Sequence, residues 1–138
     1  MIDFVKLRKA SYISKRMYIL KNICEDLGLD IDYLFGLFNM YNAKNAGRWF
    51  WQKASFTGQL KESFDRFNSY MDKLVRELKK YDDNTILNKI NESKSILEEL
   101  IKKLETSLNV ERQPDQSTVK SYIDENLRNL INGSLKGM

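Results

Sequence analysis

Residues 60–108 read LKESFDRFNSYMDKLVRELKKYDDNTILNKINESKSILEELIKKLETSL, and the apolar positions in this stretch decide the fold. Leu60, Phe64, Phe67, Met71, Leu74, Leu78 and Tyr81 recur at alternating spacings of four and three, which is the seam of a heptad helix. Asp82, Asp83 and Asn84 then interrupt the stripe with side chains that favour turns. A second stripe runs through Ile86, Ile90, Ser93, Leu97, Leu100 and Leu104, with Leu108 beyond it. Two such helices joined by a short loop must fold back on each other, so the stretch is expected to form an antiparallel, coiled-coil-like helical hairpin.

The flanks carry helical signals too. Ile13, Met17, Leu20, Cys24 and Leu27 mark one face of a helix over about 12–27, with Ser11 or Ser14 as its cap. Gly28 suits the left-handed position that ends a helix, Leu29 supplies the apolar contact of a Schellman cap, and Asp30 caps a second helix. That second helix, from Ile31 to at least Tyr41, is apolar on most sides and belongs inside a bundle. Eight of the sixteen aromatic residues lie between Tyr33 and Phe56, and Trp49, Phe50 and Trp51 are consecutive. They read as a large core, with at least one of the three reaching the surface. The 138 residues contain one proline and six glycines, too few for a sheet protein with a turn every ~8–12 positions. The expected fold is therefore all-α, a single helical domain. It comprises a basic, aromatic-rich part over 1–58, the hairpin over 59–108, a linker over 109–116 around Pro114, and a short C-terminal helix over 117–133 capped by Ser117.

Composition also narrows the chemistry. The chain has no histidine and one cysteine, Cys24, so the commonest general base and the usual metal ligands are missing. No glycine-rich phosphate loop is present. A non-enzymatic chain without metal or cofactor is expected. The single thiol excludes an internal disulfide and suits a reducing, cytoplasmic setting. No apolar run approaches the ~18 residues of a membrane span, so no membrane association is expected. Self-association is left open.

Charge is the strongest pointer to a partner. Residues 1–24 hold six basic side chains against the single acid Asp3, while the rest of the chain holds 17 basic and 18 acidic residues. The net charge of +4 is thus concentrated in the first sixth of the chain, and a local excess of this kind attracts polyanions. DNA or RNA is the favoured partner. The expected phosphate-binding residues are Lys6, Arg8, Lys9, Lys15, Arg16 and Lys21, with Lys44 and Arg48 as additions. The alternative is a protein-binding module that uses surface-reaching aromatics or the outer face of the hairpin.

Residues 20–39, LKNICEDLGLDIDYLFGLFN, resemble the helix–turn–helix unit of phage-type repressors. Cys24 takes the small position and Gly28 the turn glycine. Ile23, Leu27 and Leu29 surround the turn, and Leu34 and Leu37 pack the second helix. The resemblance implies that residues 30–39 form a helix that enters the major groove, with Asn39 and Asn42 able to read adenine edges. A plain corner between two helices has the same spacing. In size and class the chain is also similar to small subunits of CRISPR effector complexes, and to phage-encoded inhibitors and bacteriocin immunity proteins.

Overall fold

The computed structural model describes residues 2–45 and 58–123. Its elements are α1 (Phe4–Lys9), α2 (Tyr12–Asp26), α3 (Ile31–Asn45), α4 (Gly58–Arg76), a 3-10 turn (Leu78–Lys80), α5 (Asp83–Leu108) and α6 (Ser117–Lys120). The fold is an all-α bundle with no strand among the described residues, and no described helix is long and apolar enough to cross a membrane. The expected aromatic run Trp49–Trp51 and the part of the C-terminal helix beyond Ile123 lie outside the described residues.

The α2–α3 corner forms as its sequence dictates. The Ser11 side chain accepts from the Ser14 amide at 3.2 Å and starts α2. Gly28 takes φ +72°, a left-handed conformation that glycine adopts without strain. Its amide donates to the Glu25 carbonyl at 3.0 Å, and the Leu29 amide donates to Cys24 at 2.8 Å. These are the paired bonds of a Schellman cap. Asp30 then accepts from the Asp32 amide at 2.8 Å and opens α3. Tyr33, Leu34, Phe35, Leu37 and Phe38 are all buried, so α3 runs through the core.

In the hairpin, Phe64, Phe67, Met71, Leu74, Ile86, Ile90, Ser93, Leu97, Leu100 and Leu104 are buried as the stripes require. Two details depart from the expected pattern. Helix α4 ends at Arg76, and Leu78 is buried from the 3-10 turn instead. Asp82 is the N-cap of α5, accepting from the Thr85 amide at 2.8 Å, and Asp83 already lies within that helix. The stripe overshoots because residues three apart eclipse in a 3-10 turn, which prolongs the same spacing. Buried Ile96 and Ile101 also widen the inward face of α5, which packs on α2 and α3 as well as α4.

Ile13 does not join the inward stripe of α2; it is 53% exposed, and Ile19 and Ile23 are buried in addition to Met17, Leu20 and Cys24. Nor does Ser117 cap the last helix. Gln116 holds the N-cap position, while Asp115 accepts from the Ser117 amide.

The segment after α5 is tied down at both ends. The Arg112 guanidinium grips both carboxylate oxygens of Glu105 at 2.9 Å and reaches Glu98 at 3.3 Å. Glu105 is buried and also accepts from the Tyr33 hydroxyl at 2.5 Å. Farther on, the Gln116 amide group donates to the Gly28 carbonyl and accepts from the Asp30 amide, both at 3.1 Å. Lys120 pairs with Asp30 at 3.2 Å. Val119 lies directly on Gly36, where an added Cβ would stand 2.3 Å from the Val119 carbonyl oxygen. Residues 110–122 therefore form a strap across α5, the α2–α3 corner and α3.

Cys24 is fully buried, and burial pushes its thiol up to about 12, with Asp30 and Glu25 adding to the shift. The native thiol should therefore fail to react with a disulfide reagent near pH 8. The unfolded thiol ionises near ~8.5, so the folded state holds a proton that the unfolded state releases. The stability tied to this proton is complete below the unfolded value and is lost as pH rises toward the folded one. Unfolding free energy should fall by up to about 1.4 kcal/mol per pH unit above ~9. Urea titrations of Cys24→Ala should lack that component between about pH 9 and 10, before tyrosines begin to ionise.

Candidate nucleic-acid interface

Helix α1 is short, and its position rests on a few contacts. The Asp3 side chain caps it by accepting from the Lys6 amide at 3.1 Å, and the Asp3 amide donates to the Tyr18 hydroxyl at 3.1 Å. Leu7 is fully buried beneath it. Arg8 donates to the Tyr81 carbonyl at 3.3 Å, pairs with Asp83, and stands 5.7 Å from the Phe4 ring centre. These contacts span more than seventy residues of sequence and seat α1 beside the turn between α4 and α5.

That turn has its own basic residues. Lys73, Lys79 and Lys80 are exposed, as are Lys6 and Lys9 on α1. The Tyr81 hydroxyl donates to Glu77 at 2.5 Å and holds its carboxyl below the usual carboxylate range. The ammonium groups of Lys73, Lys80 and Lys89 push in the same direction. Arg76 pairs with Asp72 at 3.0 Å and stacks 5.5 Å from the centre of the Tyr12 ring, whose hydroxyl also bonds to Asp72. Lys89 sits 4.9 Å over the Tyr81 ring. Among the described residues, Lys6, Lys9, Lys73, Lys79 and Lys80 are exposed and form no ion pair, although the Glu77 carboxylate lies within reach of the charges of Lys73 and Lys80.

The structure divides the expected phosphate-binding residues. Lys6 and Lys9 lie at the basic end. Arg8 is engaged by Asp83 and Tyr81, and Arg16 bonds to Asn68 in surroundings whose desolvation lowers its pKa. Lys15 and Lys21 make no ion pair among the described residues, but they diverge. At ~100° per residue, Lys15, Arg16 and Lys21 point in three directions around α2. Asn42 and Lys44 belong to α3, with side chains outside the described residues, and Arg48 lies outside them entirely. The turn lysines carry no signal of their own in the sequence. The acids around them bring the local count near neutrality, and only the Arg8 contacts join them to α1.

The helix–turn–helix-like segment is a covered corner. None of residues 31–41 is exposed. Asn39 donates its amide to the Tyr122 carbonyl, Val119 closes on Gly36, and Asp30 is held by Lys120 and Gln116. With the strap in place, the described side chains over 31–41 are buried or half-buried.

Comparison of the chain with protein-family models, with curated proteins and with solved structures finds no match.

Proposed function

We propose that this chain is a non-catalytic nucleic-acid-binding protein that holds a phosphate backbone against the end of the bundle where α1 meets the α4–α5 turn. The observation that carries this reading is the gathering there of five exposed, unpaired lysines from two distant parts of the sequence. Ammonium groups of this kind contact phosphates as point charges and fix no base sequence. Such binding suits a regulatory protein, or a structural subunit that lines a larger nucleoprotein assembly.

The test is a salt titration. Neutralising about five duplex phosphates gives a slope of log K against log salt of roughly −4 to −5. Replacing Lys6, Lys9, Lys79 and Lys80 together by glutamine should flatten it to about −1, because each lost contact removes ~0.9. Lys102→Gln, near the other end of α5, should leave the slope unchanged. Arg8 and Arg16 are poor targets, since their loss would disturb packing as well as charge. Absence of salt-dependent binding to both DNA and RNA would refute the reading and favour a protein partner.

A further inference from the structure

The same end of the molecule presents more than charge. Val5 is 62% exposed, Ile13 53% and Tyr12 40%. The exposed large hydrophobic residues among those described are Val5, Tyr12, Ile13, Leu87 and Tyr122, so three of the five fall within nine residues of sequence. On α1, Val5, Lys9 and Lys6 occupy an arc of about 100° on the solvent side, opposite buried Leu7. Tyr12 and Ile13 open α2 directly across the Ala10–Ser11 break. Exposed apolar, basic and aromatic side chains thus follow one another within nine residues of sequence, and we refer to this stretch as the strip.

We infer that this strip takes unpaired bases, so that the nucleic acid bound at the basic end is single-stranded. The inference rests on the proposed phosphate-binding reading and adds to it the kind of strand. Lysines serve a duplex or a single strand equally well, whereas exposed apolar and aromatic side chains gain only from base faces that are not already stacked in a duplex. Arg76 packs on the Tyr12 ring, leaving a guanidinium–aromatic pair beside the strip, and both groups stack on bases. Duplex reading would need an element that enters a groove. Helix α1 is about 9 Å long, and α3 lies beneath the strap. Charge complementarity sets the occupant: Lys6 and Lys9 hold phosphates while Val5, Tyr12 and Ile13 receive the intervening bases.

The experiment is fluorescence anisotropy with a short, labelled, mixed-sequence oligonucleotide, used single-stranded and then annealed to its complement. The full chain should prefer the single strand. Tyr12→Leu should weaken single-strand binding about fivefold or more, the size of one lost stacked base, with the duplex affinity and salt slope little changed. Val5→Ser with Ile13→Ser should act in the same direction. This second variant touches no hydrogen bond or ion pair among the described residues, which guards against Tyr12→Leu failing to fold. Equal binding of single strand and duplex, or unchanged single-strand affinity in both variants, would overturn the inference and leave the phosphate reading intact. Tighter binding to phosphatidylglycerol vesicles than to either oligonucleotide would also overturn it. Failure to bind any nucleic acid would remove both.

Discussion

Leu97→Ala is expected to lower the free energy of unfolding by about 2–5 kcal/mol. Leu97 is fully buried on α5, the helix that meets α2, α3 and α4. Truncation there loses the transfer free energy of the removed methyl and methylene groups and leaves a cavity that helices held on several sides cannot collapse. A chain of this size should lose roughly 2–4 °C in melting temperature per kcal/mol. Lys79→Ala, at an exposed position on the turn, should cost within about 0.5 kcal/mol. Urea denaturation of the two variants beside the parent chain checks the pair. Equal, small losses would show that α5 is not the centre of the core.

Arg112→Met is expected to cost about 2–3 kcal/mol, less than the ~3–5 kcal/mol of breaking a fully buried pair. The reason is an asymmetry in what is left behind. Arg112 is 28% exposed, so water can partly replace its guanidinium, but Glu105, with its side chain 11% exposed, keeps a charge with only the Tyr33 hydroxyl to satisfy it. Arg112→Met with Glu105→Gln should recover much of the loss, since the orphaned charge is then gone. Beyond stability, hydrogen exchange should rise in residues 110–122 of the single variant, because Arg112 anchors the start of the strap. A loss confined to global stability, with no local rise in exchange, would mean that the strap is held from its far end alone.

The hairpin was readable because heptad spacing is a local property of the chain. The same was true of the Gly28 cap and of the buried character of α3. Contacts between distant segments left no such trace. Nothing around Gly36 shows that Val119 must sit against it, and nothing around Lys79 and Lys80 shows that Arg8 brings α1 alongside. Ile13 matched the inward spacing of α2 faithfully, yet in that first turn α4 meets Tyr12 and the buried residue is Ser14, which leaves Ile13 exposed. The proposed phosphate-binding residues were legible only in part for the same reason. A block count of charge finds Lys6 and Lys9, but it also includes Arg8 and Arg16, whose guanidinium groups are engaged by Asp83 and Asn68.

The strap also places the corner within the timing of synthesis. Gln116 and Lys120 leave the ribosome 86 to 90 residues after the Gly28 and Asp30 groups that they satisfy. At ~5–20 residues per second, the delay is on the order of 5–20 s. During that interval the Gly28 carbonyl and the Asp30 amide have only water as a partner, and Gly36 lacks its Val119 cover. The helix pair α4 and α5, formed from neighbouring sequence, is already complete when the strap arrives. A chain with residues through Leu108 outside the ribosome would thus hold both helices of the hairpin but not yet the strap.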